Sequence, residues 1–296
     1  MPQTVAEARP PDSGPHLLPA STLASIVDDY IRSADARPWN VLKSFDWAAL
    51  RPGEVSRPQR SALAFVTYVE DHIPGYLAEL YRRHPLDQSV TSEQFMHNRE
   101  LFRFYARWVQ DEESHSHVLF RYQVESGMTS ADALRAELAR VGAARFEIPG
   151  ADPVHAFTYT VIQEKATQLF YQQFAHVAQD EVLREIMKTL ARDEARHFSF
   201  FARLLEAYLE HFGASVLPAI EQTLKSFQMP LSRVLTRYWR WSIEVADAVG
   251  GYDHVDAYPS LLRVIQRVQD ASLRTKSREI ERFVRSVCRT HEPAGA

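Results

Sequence analysis

Four long stretches of this chain repeat apolar residues with helical spacing, and each sets a carboxylate among them. The first, SALAFVTYVEDHIPGYLAEL, places Glu70 among Phe65, Val66, Val69 and Ile73. The second, FRFYARWVQDEESHSHVLF, carries Glu112 and His115 three residues apart, on one helical face. The third, FTYTVIQEKATQLFYQQF, holds Glu164 one turn from Thr160, Val161 and Thr167, and the fourth, IMKTLARDEARHFSFFARLL, repeats the ExxH spacing with Glu194 and His197. With 22 glutamates and 12 histidines, about one ExxH pair arises by chance. The constraint is therefore the order Glu, ExxH, Glu, ExxH on four apolar helices. Burying one unpaired carboxylate is costly and burying four together is worse, so these helices must share a centre that compensates the charge.

Glycine and proline punctuate the rest. Gly53, Gly127, Gly142, Gly150, Gly213 and Gly250-Gly251 separate the periodic stretches, and alternating strand patterns are nearly absent. The periodicity predicts main helices over 59–83, 92–126, 154–180 and 182–211, with shorter ones over 130–144, 217–227, 231–248, 256–271 and 275–289. The expectation is all-α: a bundle of long helices with additional flanking helices, in one domain over 21–290. Flexible tails are expected over 1–20, which is rich in proline, and over 291–296.

Composition narrows the chemistry. A single cysteine, Cys288, excludes an internal disulfide, a thiolate zinc site and an iron–sulfur cluster. Ten glycines include no GxGxxG and no GxxxxGK[ST], so phosphate-cradling loops are excluded as well. A formal net charge of −4 argues against a general nucleic-acid binder. No apolar run reaches the roughly 18 residues of a membrane span, and the N-terminus lacks a secretory pattern, so a cytoplasmic location is expected. What remains is carboxylate and imidazole. Four carboxylates and two Fe(II) ions sum to neutrality, with one imidazole for each iron, and oxygen-rich sites of this kind suit iron or manganese. Paired ExxH motifs with a glutamate from each of two further helices form the ligand set of ferritin-like carboxylate proteins.

At these residues the sequence resembles the soluble acyl-ACP desaturases of the ferritin-like diiron superfamily. Glu70-Asp71-His72-Ile73-Pro74-Gly75-Tyr76 resembles their first-ligand motif E-[ED]-x-x-P-x-Y. Trp108 through His115 resembles W-x-x-x-E-x-x-H, Gln163 through Thr167 resembles QE-[RK]-AT, and Asp193 through His197 resembles DE-x-RH. Downstream, GGYDHVDAYPSLLRVI resembles a glycine- and tyrosine-bearing segment of the family, so the likeness runs over about 60–270. Other diiron branches fit less well. Leu119 stands where the ribonucleotide reductase small subunit has its radical tyrosine, and Leu190 where arylamine N-oxygenases have an extra histidine.

The resemblance implies two iron ions, with Glu70 and Glu164 as terminal ligands, Glu112 and Glu194 bridging, and His115 and His197 each on one iron. It also implies a hydroxyl from Thr167 beside the oxygen-binding face and a hydrogen bond from Asp193 to a ligand histidine. The residue alone equally allows Thr167 to bond its own helix backbone. Pro74 removes the partner of the Glu70 carbonyl and bends the helix there. An N-terminal tryptophan on the electron path is a family feature for which Trp39 and Trp47 are both candidates, neither in a clear copy of the family segment. Ser116 replaces a common glycine and His117 a usual acidic residue. His72 and His117, each two residues past a ligand, are expected to point away from the metals.

The implied activity is desaturation of an acyl chain on acyl carrier protein, using O2 and electrons from ferredoxin or flavodoxin, in a homodimer. The alternatives are a diiron tailoring oxygenase that hydroxylates or N-oxygenates a carrier-bound or free small molecule, and a non-catalytic ferritin-like scaffold. An apolar substrate slot is expected near the ligands, from residues such as Tyr68, Phe102, Tyr105, Phe120, Phe170 and Tyr171. The segment 261–296, with eight basic and four acidic residues, is the expected dock for the acidic carrier.

Overall fold

The computed structural model describes residues 16–289, and among them every regular element is a helix. In chain order these are α1 (Ala20–Asp35), α2 (Arg57–Glu70), α3 (Ile73–Arg83), α4 (Ser92–Glu125), α5 (Ala131–Gly142) and α6 (Pro153–Val177). They continue with α7 (Glu181–Phe212), α8 (Leu217–Ser226), α9 (Tyr238–Ala248), α10 (Tyr258–Arg267), α11 (Ala271–Lys276) and α12 (Arg278–Arg289). The all-α bundle with flanking helices is the observed architecture.

Local chemistry sets the ends of the bundle helices. Ser56 and Gln59 form a reciprocal capping box at the start of α2. Thr91 caps α4 through the N–H of Gln94, Asp152 caps α6 with Pro153 behind it, and Asp180 caps α7 through the N–H of Leu183. Gly213, at φ 59°, ends α7 in a backbone region that other residues enter only with strain. α6 is buried at every position from Pro153 to Ile162, so it is the central helix, with α7 packed along it.

The core falls into two apolar clusters. One gathers α1, the first half of α4, the first half of α6, the second half of α7 and the helices from α8 to α12 except α9. The other gathers α2, α5, α9, the second halves of α4 and α6 and the first half of α7. The three longest helices run through both, and the residues left between the clusters are the carboxylates and histidines singled out above.

Several expectations change. The stretch 59–83 is two helices, because with no N–H at Pro74 the chain breaks at Asp71–His72; Tyr76 returns its hydroxyl to the Val69 carbonyl at 2.9 Å across the break. Helix α1 had no counterpart in the reading, although Leu23, Ile26, Val27, Tyr30 and Ala34 are buried at helical spacing. The stretch 231–248 is helical only from Tyr238, 256–271 only to Arg267, and 275–289 divides at Ser277. Of the expected N-terminal tail, residues 1–15 lie outside the described residues. The rest is docked: Leu18 is buried and His16 Nδ1 lies 2.6 Å from Asp152. The C-terminal tail, 291–296, lies outside the described residues.

Candidate metal centre

Glu70 is the last residue of α2, where the helix break leaves its side chain facing the bundle interior. Glu112 and His115 come from α4, Glu164 from α6, and Glu194 and His197 from α7. Their donor atoms form two overlapping sets, each within 4.8 Å: Glu70, Glu112, His115 and Glu194, and Glu112, Glu164, Glu194 and His197. Glu112 and Glu194 belong to both. Glu112 turns Oε2 to His115 Nδ1 at 3.6 Å and Oε1 to His197 Nδ1 at 3.1 Å. Glu194 does the same, with Oε1 3.2 Å from His115 Nδ1 and Oε2 3.5 Å from His197 Nδ1. Of the two imidazoles, Glu70 approaches only that of His115, at 3.5 Å, and Glu164 only that of His197, at 3.6 Å.

This set fits divalent cations. All six side chains are buried, and His115 Nδ1, His197 Nδ1, Glu194 Oε1 and both oxygens of Glu164 have no hydrogen-bond partner. Groups orphaned in this way cost about 1–3 kcal/mol each in a folded core. The donor separations of 3.1–3.6 Å are those of atoms sharing one cation at about 2.1 Å. Without cations, protons take the charge. Burial pushes the Glu70 carboxyl up to about 8 and raises Glu164, which the Glu194 charge raises further. Burial also opposes ionisation of Glu112, but the His197 and His115 imidazoles outweigh it and hold that carboxyl low. Burial would lower His115 and His197; the surrounding carboxylates and, at His197, the neighbouring Tyr30 raise both well above the usual imidazole value.

A second layer crosses over between helices. Asp193, beside Glu194 on α7, sets Oδ2 3.4 Å from Nε2 of His115 on α4. Asp111, beside Glu112 on α4, sets Oδ2 3.5 Å from Nε2 of His197 on α7. Arg196 spans the two aspartates at 2.9 and 3.0 Å. Trp39 donates its indole N–H to Asp193 at 2.6 Å, and Tyr30 its hydroxyl to Asp111 at 2.9 Å. The sequence reading assigned Asp193 and missed Asp111, Arg196 and Tyr30. The signal was present: both ExxH motifs are D-E-x-x-H. Of the two tryptophan candidates only Trp39 reaches this layer, because Trp47 donates to the Val41 carbonyl and lies under Arg121.

Thr167 donates to the carbonyl of Gln163 at 3.0 Å, the helix-bound arrangement, and lines a cavity together with Glu70. Ser116 donates to Asp71 at 2.7 Å and ties α4 to the end of α2. His72 is fully buried against Tyr76 and Phe146, and His117 is exposed; neither is in a donor set.

The cavity, about 610 Å³, runs from an exposed mouth at Gln228, Arg233 and Ser242 to a buried floor of Val66, Val69, Glu70 and Thr167. Phe170 and Tyr171 line it as expected. The other four slot candidates do not. Tyr68 packs edge-on to Trp241, Tyr105 bonds His84, Phe102 stacks on Tyr81, and Phe120 lies under Arg135. The missing wall comes from α9 and from the segments around Phe227 and Tyr252.

With that geometry in place, comparison with known proteins is specific. The chain is 30% identical over 141 residues to acyl-[acyl-carrier-protein] desaturase 6, chloroplastic, of Oryza sativa subsp. japonica, covering 44% of this chain and 34% of the relative. It is 29% identical over 129 residues to stearoyl-[acyl-carrier-protein] 9-desaturase 6, chloroplastic, of Arabidopsis thaliana, covering 42% and 33%. The chain thus spans about a third of the length of these relatives. Its fold matches the X-ray structure of DesA2 from Mycobacterium tuberculosis H37Rv, a candidate acyl-ACP desaturase, with a TM-score of 0.60 at 19% identity over 87% of this chain and 98% of that one. The family model described as fatty acid desaturase matches residues 30–292, and the chain belongs to the fatty acid desaturase family.

Proposed function

We propose that this chain is an acyl-[acyl-carrier-protein] desaturase that introduces a cis double bond into a carrier-bound acyl chain, with two irons held by Glu70, Glu112, His115, Glu164, Glu194 and His197. The observation that carries the reading is the joining of a long apolar cavity to the six-residue cluster at Glu70. The family of the chain and the names of its relatives support the substrate class. Two bound irons would supply O2 reduction, so that CH2–CH2, O2, two electrons and two protons become CH=CH and two waters.

The chain's own residues do the rest. Phe65, Val66, Val69 and Phe170 wall the cavity and keep water from the acyl chain, which they hold extended toward Glu70. Asp193 and Asp111 fix the orientation of the two imidazoles, and Arg196 fixes the aspartates. Ferredoxin or flavodoxin is the proposed electron donor, as the family resemblance implies. A homodimer and the hydroxyl role of Thr167 rest on family resemblance. Among the described residues no helix is long and apolar enough to cross a membrane.

The test is product analysis. Protein loaded anaerobically with iron should bind two irons per chain. Given O2, hexadecanoyl-ACP, ferredoxin, its reductase and NADPH, it should form a monounsaturated acyl-ACP, read by gas chromatography after the thioester is cleaved chemically, and Glu112→Ala should give none. A hydroxylated product without alkene would select the tailoring-oxygenase reading, and less than one iron per chain would remove both.

A further inference from the structure

The mouth of the cavity lies beside a surface with unusual chemistry. Tyr238, Ser242 and Val245 on α9 line the cavity, while Trp239 and Ile243, one turn apart on the same helix, face solvent at 59% and 53% exposure. Large apolar side chains this exposed, side by side, are a common mark of a binding face. Arg240 lies 5.2 Å over the Trp239 ring, and Arg237 and Arg233 precede it on the turn that closes the mouth. Leu231 (φ 61°) and Arg237 (φ 57°) both hold left-handed backbone, which side-chain-bearing residues adopt only with strain. Residues 228–243 contain three arginines and no carboxylate. All three arginines are exposed, and none makes an ion pair with a carboxylate among the described residues.

The C-terminal segment favoured by charge count alone compares poorly. Arg267 pairs with Glu206, Arg282 with Glu279 and Arg285 with Glu281, so three of its eight basic residues already face a carboxylate. None of its described residues lines the cavity.

We infer that Trp239, Ile243, Arg237 and Arg240 form the docking surface for an acidic carrier protein, which delivers its acyl chain through the adjacent mouth past Arg233. The inference rests on the desaturase reading above. A chain tethered to its carrier must enter at the mouth, so the carrier must sit on the surface around it. Unpaired guanidinium groups there steer an acidic partner, and the exposed indole and isoleucine give it apolar area to bury.

The test uses the iron-loaded full chain, its Arg237→Glu/Arg240→Glu variant and its Trp239→Ala variant, each first shown to keep the parent melting temperature and iron content. Two substrates carry the same acyl group: hexadecanoyl-ACP and hexadecanoyl-pantetheine. The expected result is a KM for hexadecanoyl-ACP raised by about tenfold or more at low salt, with kcat within about twofold. The KM for the pantetheine thioester should stay put. The steep salt dependence of the parent's KM for hexadecanoyl-ACP should flatten in the double variant. Binding of fluorescently labelled ACP, followed by anisotropy, should weaken in parallel. An unchanged KM for hexadecanoyl-ACP overturns the inference, as does an equal rise for both thioesters. A parent dimer that the variants split into monomers also overturns it, since the surface would then belong to a second copy of the chain. No alkene from either thioester with the parent enzyme would bring down the desaturase reading and the docking surface with it, whereas turnover with unaffected variants brings down the docking surface alone.

Discussion

The hydroxyl of Tyr171 donates to Oε1 of Glu70 at 2.5 Å, joining residues 101 positions apart at the point where the cavity meets the cluster. Tyr171 lines the cavity on the same side as Glu70. It therefore holds the one carboxylate of the cluster that sits at a helix break rather than inside a helix. A hydrogen bond to a charged group is worth about 1.5–3 kcal/mol. Tyr171→Phe should weaken the binding of one metal ion per chain by roughly tenfold to a hundredfold, and the other much less. Titration of the metal-free protein with Co(II), followed by its visible absorption, separates the two; equal weakening of both ions, or of neither, would contradict the assignment.

The metal-free protein should lose stability as pH rises. His115 and His197 have folded values raised above the unfolded value of about 6.5. Their contribution is complete below that pH and is lost as pH climbs through the folded values. Glu70, raised to about 8, and Glu164 act with the same sign, because an unfolded chain ionises them near 4.3. The depressed carboxyls Glu112, Asp111 and Asp193 act the other way, and only in acid. Between pH 6.5 and 8.5 the melting temperature of the metal-free protein should fall by roughly 5 °C or more. Metal binding displaces these protons, so the loaded protein should hold its melting temperature over that window, and proton release on loading should be measurable in weakly buffered solution. A flat profile for the metal-free protein would mean that the cluster does not hold these protons.

The crossed aspartates make a paired prediction. Asp193→Asn and Asp111→Asn each keep the side-chain shape and remove the charge that faces one imidazole, so each should lower metal affinity by roughly tenfold to a hundredfold. Trp39→Phe removes one donor to Asp193 and leaves Arg196 in place, so its effect should be smaller. Competition with a chelator of known affinity reads all three. An affinity unchanged in both asparagine variants would reduce the aspartates to partners of Arg196 alone.

Much of this centre was legible in the chain and part of it was not, for physical reasons. Glu70, Glu112, His115, Glu164, Glu194 and His197 announce themselves because a buried carboxylate on an apolar face needs a local reason, and sequence spacing shows the face. Tyr30, Trp39 and Asp111 act through hydrogen bonds between residues up to 154 positions apart, which no periodicity reports. The cavity was half legible. Phe170 and Tyr171 share the helix of Glu164, but the facing wall comes from α9 and the turn before it, whose placement depends on tertiary packing. Tyr105 shows the converse, an aromatic near a ligand in sequence that is spent on a buried contact with His84.

The helix break beside Glu70 carries its own constraint. A Cβ on Gly75 would stand 2.4 Å from Nε2 and 2.7 Å from Cδ2 of His72, closer than real contacts allow. Burial lowers the pKa of His72 and so favours the neutral ring. Gly75→Ala should destabilise the protein by about 1–3 kcal/mol through overpacking. His72→Ala should recover part of that loss in the Gly75→Ala background, giving a coupling energy in a double-mutant cycle from urea unfolding. Additive effects would show that the two residues do not press on one another.

Filling the cavity should separate substrate binding from the metal centre. Val66 lies on the buried floor, and its side chain belongs to none of the donor sets. Tryptophan in its place adds bulk to open space and not to a packed interior, so the overpacking cost should stay at the low end of about 1–3 kcal/mol. Val66→Trp should keep two irons per chain and the parent's iron spectrum. The site of blockage is next to Glu70, so the loss should depend on how far the acyl chain reaches. Turnover of hexadecanoyl-ACP should fall by about tenfold or more, and that of a chain too short to reach the floor should change little. The dependence on length decides the matter: if long and short chains lose equally, Val66 acts on the cluster and not on the slot, and if neither loses, the acyl chain takes another path to the irons.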